Sequence, residues 1–130
     1  MTQSRVASAA TIGLLFLLLP SCAPNQPTHQ ISDAVGQTLD EVTSWLKEDR
    51  SLITLDISPR VGLDPQYNSG DPGSEWIVVA ACASAETLER SDEVEVAVLP
   101  LTEMTNRVKA AVDSGAYADT VYCENERNYR

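Results

Sequence analysis

The feature that constrains this chain most is an apolar run near its amino terminus, because it decides the compartment in which the rest folds. Ala9–Leu19 contains the letters LLFLLL, follows one basic residue, Arg5, and ends abruptly at Pro20. A run of this length is too short to span a bilayer and is typical of an export signal. We therefore predict that residues 1–21 are a signal peptide and that the remainder is exported.

A cysteine follows the apolar run directly. Leu19-Pro20-Ser21-Cys22 resembles a bacterial lipobox, in which signal peptidase cleaves before a cysteine that becomes diacylated. The resemblance implies that Cys22 carries palmitate-type chains, which hold the protein at the outer face of the cell membrane at about 0.8 kcal/mol per buried methylene. Pro20 replaces the usual small or aliphatic residue, so a plain secreted protein is the alternative. Residues 22–30 are then a linker between lipid and domain.

Two further cysteines, Cys82 and Cys123, lie in the exported part. An even pair in an oxidising compartment predicts a disulfide, and closing a loop of about 40 residues contributes roughly 4 kcal/mol of stability. A metal site is disfavoured because there is no CxxC motif and the only histidine, His29, falls in the linker. We expect a structural disulfide, no metal and no other cofactor.

The exported chain is strongly acidic. Loss of residues 1–21 removes Arg5 and leaves eight Lys and Arg against 19 Asp and Glu, a net charge of −11. Nucleic acid and anionic lipid head groups are therefore poor partners on electrostatic grounds. We interpret the charge as a solubility feature of the outer surface.

Two segments have helical patterns. Thr38-Leu39-Asp40-Glu41 fits a capping box, in which the Thr38 hydroxyl caps the helix and the Glu41 carboxylate reaches back. Apolar residues then recur on one helical face at Leu39, Val42 and Leu46. This predicts a helix of about three turns with Trp45 at the edge of its apolar face. A second helix is predicted over residues 102–114, with Gly115 as its carboxyl-terminal cap.

Three segments have strand patterns: Ser51–Ser58, Trp76–Cys82 and Glu93–Leu99. The first alternates with period two, which is typical of a half-buried strand. The second is apolar on both faces, which suits a central strand. The third alternates with its valines inward and Glu95 outward. Residues 59–75 are punctuated by Pro and Gly and are predicted to form a loop.

The order of these elements resembles a PASTA domain. Ile31–Glu41, ISDAVGQTLDE, is similar to the opening of that family and the start of its helix. Trp76–Val79 and Cys82–Leu88 look like its second strand and the turn that follows, and Glu93–Val98 looks like its closing strand. Proline or glycine of the family pattern is replaced here at four positions, which are Ser32, Ala83, Glu86 and Ser91.

The resemblance implies an α+β fold in which one helix packs on a three-stranded antiparallel sheet. Residues 31–100 form this PASTA-like domain, and residues 101–130 add a C-terminal helix and a tail held by the disulfide. PASTA modules lie outside the membrane on transpeptidases and signalling kinases. Many contact peptidoglycan fragments or β-lactams, and others act as spacers or docking modules. A single acidic copy with altered turns fits the second group more naturally, and peptidoglycan binding stays open beside it.

The long loop and the acidic residues show no pattern typical of a metal site or a catalytic site. Asp64 and Glu75 stand at positions 1 and 12 of a calcium-loop spacing, but position 6 is Ser69 instead of glycine. We interpret the segment as a loop without a metal site. Catalysis needs a nucleophile beside an oriented base, and residues 31–130 contain no histidine to act as that base. We therefore assign no catalytic residue and expect no enzyme activity.

Aromatic residues are the best candidates for a contact surface, because exposed aromatic side chains anchor recognition. Trp76 begins an apolar strand, which favours a place in the core. Trp45 borders the apolar face of its helix, so core packing and ligand contact both stay open. Tyr67 lies in the long loop. We predict ligand contacts at Tyr67 and Trp45.

Together these patterns predict a lipid-anchored cell-envelope protein that binds at the cell wall without catalysis, with peptidoglycan fragments as candidate ligands. The alternative is an interaction or inhibitor module that docks onto another exported protein through its sheet and long loop. A small envelope enzyme is the least favoured class.

Overall fold

A computed structural model describes residues 28–123, and the predicted signal peptide and Cys22 lie outside this range. The main elements are three helices and three strands: α1 (Ile31–Ala34), α2 (Leu39–Trp45), β1 (Ser51–Asp56), β2 (Trp76–Ala83), β3 (Glu93–Pro100) and α3 (Asn106–Asp113). Short 3-10 turns join them at Ser58–Val61, Gly73–Glu75, Leu88–Arg90, Leu101–Glu103 and Ala118–Thr120. No helix within residues 28–123 is long and apolar enough to cross a membrane. The α+β class is confirmed.

The three strands form one mixed sheet in the order β1-β3-β2. β3 is central, antiparallel to β2 and parallel to β1. The prediction of an antiparallel sheet is therefore wrong. The connection from β1 to β2 spans residues 57–75, which is far longer than a hairpin turn, so these two strands are not neighbours. Instead, the chain runs through β2 before it forms β3, and this long connection from β1 to β3 is the crossover that a parallel pair requires.

Both faces of the sheet are covered, so the prediction of one helix on one face is incomplete. α1 and α2 cover the first face, whose buried residues include Val78, Val94, Val96 and Val98. α3 and the segment up to Cys123 cover the second face, whose buried residues include Ile77, Val79, Ala97 and Leu99. Glu95 also lies on the second face, where it is 8% exposed and its carboxylate accepts a hydrogen bond from Tyr122 N at 3.2 Å. The prediction that Glu95 faces solvent is wrong because the chain returns over this face.

The apolar strand β2 is not central, although all eight of its residues are buried. Its outer edge is partly covered by the turn between α1 and α2, where Gly36 N donates to Val78 O at 2.8 Å and Val78 N donates to Gln37 O at 2.9 Å. Gly36 has a φ of 91°, which glycine adopts without strain. A bulge between Val78 and Ala80 shifts the register with β3. This turn and the two covered faces bury the strand without a second neighbouring strand.

The helix caps were predicted in part. Thr38 Oγ1 accepts from Glu41 N at 3.3 Å, as expected for the start of α2. The reciprocal bond of a capping box lies instead at α1, where Gln30 N donates to Asp33 Oδ2 at 2.7 Å. α2 has seven residues, about two turns and not the predicted three, because Leu46 is already extended toward β1.

The second predicted helix starts later than expected. Residues 101–103 form a 3-10 turn, and α3 begins at Asn106 with the Thr105 hydroxyl as its cap. Its end is as predicted, since Gly115 has a φ of 71°. Gly115 N donates to Val112 O and Ala116 N donates to Ala111 O, each at 2.9 Å, which is the Schellman arrangement.

The predicted disulfide between Cys82 and Cys123 is confirmed, with 6.0 Å between the two Cα atoms. Both residues are buried in the second-face core. The bond ties the end of the described chain to β2. This keeps residues 117–123 over the second face of the sheet.

Candidate functional site

The predicted contact residue Trp45 lies at the end of α2 and stacks on His29. The two ring centroids are 3.9 Å apart and the rings are 3° from parallel. His29 was predicted to lie in the linker, and the structure packs it against the domain. One face of the Trp45 ring is therefore already covered by a residue of this chain.

Glu89 completes this cluster, which we call the His29 cluster (His29, Trp45 and Glu89). The Glu89 carboxylate lies 2.5 Å from His29 Nδ1 and also accepts from the His29 backbone N–H at 2.8 Å. Burial raises the pKa of Glu89, but hydrogen bonds from its own backbone N–H and from His29 outweigh burial and hold the pKa below its ordinary value. Glu89 is therefore a carboxylate that fixes the imidazole.

The His29 cluster does not assemble a nucleophile. Within residues 28–123, the only hydrogen-bond partner of the His29 ring is Glu89. An oriented imidazole becomes a useful base only with a hydroxyl or thiol in reach. The contacts of these three side chains connect the start of the domain to α2 and to the turn at Leu88–Arg90.

The second predicted contact residue, Tyr67, packs on Trp76. Their ring centroids are 5.1 Å apart and the planes are 88° to one another, which is the edge-to-face arrangement that aromatic pairs favour. Trp76 is buried, as predicted, and Tyr67 is half-buried against the first-face core. Tyr67 and Trp45 thus border the same core but contact different partners.

Asp56, at the end of β1, holds the loop that carries Tyr67. Its carboxylate accepts four hydrogen bonds: from Ser58 N at 2.8 Å, Ser58 Oγ at 2.5 Å, Gln66 N at 2.6 Å and Tyr67 N at 2.9 Å. Burial raises the pKa of Asp56, but these hydrogen bonds, led by that of the Ser58 side chain, outweigh burial and lower the pKa below its usual range. Asp56 is a loop anchor that sequence reasoning missed. An Asp at a strand end followed two residues later by Ser is the local signal that could have found it.

A close backbone contact fixes the other end of the loop. A Cβ atom at Gly73 would lie 2.3 Å from Asp40 Oδ1 and 2.9 Å from Asp40 N. Only glycine therefore allows the turn at Gly73–Glu75 to pack against the start of α2. The long loop is held at both ends, by Asp56 and by Gly73.

A cavity of about 640 Å³ opens beside this loop, and we call it the Trp76 cavity. Its lining includes Gln66, Asp71, Glu75, Trp76, Leu101 and Thr102. Asp71 accepts from Asn68 N at 2.8 Å, and Glu75 and Leu101 are exposed. The described lining contains carboxylates and apolar surface but no Lys, Arg or His. Such a lining suits a ligand that combines an ammonium group with an apolar group.

Other cavities lie around α3. One of about 330 Å³ lies between α1 and α3 over Val79 and Ala81, and it is mainly apolar. Another of about 560 Å³ is lined by Arg60, Arg107 and Tyr117. Arg60 pairs with Asp119 at 3.2 Å. Tyr67 and Trp45, the predicted ligand contacts, are absent from the lining of these two cavities and of the Trp76 cavity.

The loop shows no arrangement of ligands for a cation. Gln66 and Asn68, which fall between the two ends of the calcium-like spacing, use their backbone N–H groups to bind Asp56 and Asp71. No group of three or more His, Cys, Asp or Glu in residues 28–123 could hold a metal ion. The backbone bonds explain the shape of this loop.

Comparison with family models, with curated proteins and with solved structures gave no match. The geometry of the described residues therefore carries the functional argument.

Proposed function

We propose that this chain is an exported, lipid-anchored, PASTA-like module that binds cell-wall peptide fragments without catalysis, and that the Trp76 cavity receives them. The observation that carries this proposal is the lining of that cavity, where two carboxylates and exposed Leu101 lie beside Trp76. Peptide fragments of the wall offer ammonium groups for carboxylates and methyl groups for apolar surface. Charge-assisted hydrogen bonds of this kind are the stronger ones in a partly dry site.

Preorganisation of the loop supports the same proposal. The Asp56 carboxylate and the Gly73 contact hold the loop at two points, so the cavity wall does not have to be ordered when a ligand binds. A site that is ordered before binding loses less conformational entropy when the ligand binds, so more of the interaction energy appears as affinity. Tyr67 then acts by supporting Trp76 edge-on, and Trp45 contributes to the His29 cluster.

Export and anchoring are supported by the apolar run before Cys22 and by the disulfide, which is typical of an oxidising compartment. Metabolic labelling with a fatty-acid analogue tests the anchor. We expect label on the wild-type protein and none on Cys22→Ser. An unlabelled wild type contradicts lipidation and favours the secreted form.

Ligand binding is tested with Trp45→Phe, which leaves Trp76 as the single tryptophan. Purified muropeptides should change the Trp76 fluorescence in a saturable manner. Glu75→Gln should weaken that response, whereas Glu48→Gln, which removes an exposed acid outside the cavity lining, should not. A flat titration to millimolar muropeptide, or equal affinity in both variants, refutes the proposal.

One observation favours the alternative function, docking onto another exported protein. Both faces of the sheet are covered, but the outer edge of β1 has no backbone partner among residues 28–123. The outer edge of β2 is partly covered by Gly36 and Gln37, so docking through the sheet is favoured at the edge of β1.

A further inference from the structure

β1 is a strand with one free side. It pairs with β3 in an unbroken parallel register from Ser51↔Glu93 to Asp56↔Val98. The bonds that flank the strand, Ser51 N to Asp92 O and Ile57 N to Val98 O, both at 3.1 Å, also go to the β3 side. In the part of the chain that the structure describes, nothing pairs with the opposite side of β1. The outer edge of β2, in contrast, is partly covered by Gly36 and Gln37.

The free edge lacks the usual protection against strand pairing. Natural edge strands are guarded by Lys, Pro, bulges or inward-pointing charges. β1, with the sequence SLITLD, has no Lys, Pro or Gly and no bulge in its register. Its one charged residue, Asp56, is engaged by the amides of the long loop. In its middle, Ile53 is 38% exposed. The edge therefore offers main-chain groups and an uncovered apolar side chain together.

The hydrogen-bond pattern shows which groups are available. The N–H groups of Ser51 and Ile57 point to β3, and alternate residues of a strand point their N–H groups to opposite sides. Ser51, Ile53, Leu55 and Ile57 therefore direct their N–H groups to β3. The N–H groups of Leu52 and Thr54 point to the free side. A strand added at this side must accept hydrogen bonds from these two residues.

Other parts of this chain are poorly suited to occupy the edge. Residues 22–27 contain Pro24 and Pro27, which cannot donate to a ladder. Residues 124–130, with the sequence ENERNYR, have no aliphatic side chain and no alternating apolar pattern, which disfavours them as a strand over Ile53. A second copy brings a further charge of −11 against the first, and like charge opposes association.

We propose that the outer edge of β1 binds an extended segment of another exported protein as an added strand, and that this segment carries Lys or Arg beside an apolar residue. The apolar residue covers Ile53, and the cations meet the acidic surface around the start of the strand. Four acids (Glu48, Asp49, Asp92 and Glu93) lie there with Lys47 and Arg50, which leaves an excess of two negative charges, and Arg50 pairs with Asp49 at 3.5 Å and with Asp92. Six strand residues span about 20 Å, which accepts a partner segment of similar length. This inference deepens the docking alternative and does not depend on the Trp76 cavity.

The test uses the exported chain, residues 22–130, with Cys22→Ser to leave it without lipid. The probe is the blocked peptide Lys-Val-Thr-Val-Thr-Val-Lys, and its matched control has Asp in place of both Lys. We expect saturable binding of the Lys peptide, at least tenfold weaker binding of the Asp peptide, and weaker binding at 0.5 M salt because salt screens the attraction. Amide hydrogen exchange should slow at Leu52 and Thr54 and stay unchanged at Ile53, which already bonds to β3.

Thr54→Pro is the decisive variant, because it removes an outward N–H without removing a bond to β3. It should lower the affinity for the Lys peptide tenfold or more, whereas the affinity of Thr54→Val should stay within twofold of that of the parent protein. If Thr54→Pro fails to fold, Ile53→Lys replaces it and should weaken binding at least fivefold by repelling the cationic peptide.

Several results overturn the proposal. They are no binding of the Lys peptide at millimolar concentration, unchanged affinity in a folded edge variant, and protection of the Leu52 and Thr54 amides in the free monomer, which means that the chain covers its own edge. A concentration-dependent dimer in analytical ultracentrifugation that is lost in Thr54→Pro assigns the edge to a second copy instead. Trp76 fluorescence in the Trp45→Phe background should not respond to the Lys peptide, so failure here and failure of muropeptide binding are separate results.

Discussion

Removal of the disulfide tests how the carboxyl-terminal part of the domain is held. In the double variant Cys82→Ala/Cys123→Ala, the unfolded chain regains the entropy that the bond removes. The two cysteines are 41 residues apart in sequence. For a loop of this size the chain-entropy relation gives about 13 cal/mol/K, which is about 4 kcal/mol at 25 °C. That is a large share of the total stability of a small domain, which is about 5–15 kcal/mol.

The expected loss is close to the entropic value because the covering segment keeps its apolar contacts. Tyr117 and Val121 are buried in the second-face core, where apolar residues such as Val79 and Leu99 lie beside the two cysteines. The double variant should therefore still fold, with a melting temperature lower by roughly 15–30 °C for a domain of this size. Urea unfolding followed by far-UV circular dichroism measures the difference in free energy. The denaturant slope should rise, because an unlinked unfolded chain exposes more surface.

Reduced wild type is the matched control, since it has the same open chain with the sulfur atoms present. Its free energy of unfolding should agree with that of the double variant within about 1 kcal/mol, a typical effect of a small core change. If the double variant and oxidised wild type differ by less than about 1 kcal/mol, the argument from loop entropy fails.

Three further perturbations test the loop and the His29 cluster. Asp56→Ala should cost about 2–4 kcal/mol at pH 7, because four hydrogen bonds to a carboxylate are lost. Because the folded pKa of Asp56 is lowered, its contribution is complete above the unfolded pKa of about 3.9 and is lost as the pH falls through the folded pKa. The difference in free energy of unfolding between wild type and Asp56→Ala, measured by urea unfolding, should therefore shrink toward pH 2. Gly73→Ala should lower the free energy of unfolding by about 1–3 kcal/mol, because the added Cβ overpacks against the start of α2. Gly70→Ala is the control and should not change it, since a Cβ there meets nothing within 4 Å. Equal melting temperatures of the two variants would refute the close contact. His29→Ala should expose the Trp45 ring and shift its fluorescence emission, and the lost ring contact should lower the free energy of unfolding by about 0.5–1.5 kcal/mol. The spectrum is measured in a Trp76→Phe background, and an unchanged spectrum contradicts the stacking.

Local patterns predicted the elements well. The three strand segments, the Thr38 cap and the Gly115 cap depend on residues within a few positions, and each is found close to where the pattern places it. The disulfide was predictable for a different reason, because the predicted export signal implies an oxidising compartment and only one pair of cysteines remains after Cys22. Boundaries were less accurate, as the early end of α2 illustrates, because the path to β1 decides where the helix stops.

The candidate site was predicted less well than the elements. Tyr67 and Trp45 were predicted as ligand contacts, but each packs against another ring of this chain, Tyr67 against Trp76 and Trp45 against His29. Whether an aromatic ring faces solvent depends on its distant neighbours, and a single pattern does not contain them. Glu89 was missed for the same reason, since it meets His29 across 60 residues, whereas Asp56 was missed although Ser58, two residues later, is a local signal.

The sequence by itself determined the covalent crosslink and the segments that become helix or strand, because only one pair of cysteines follows Cys22 and because periodicity and capping act over a few residues. Only the tertiary structure decided the strand order, the parallel pairing of β1 with β3 and the burial of Glu95. These depend on which long-range contacts bury the most apolar surface at once. The result covers both faces of the sheet with helices and the carboxyl-terminal segment, and it leaves the outer edge of β1 without a backbone partner among residues 28–123.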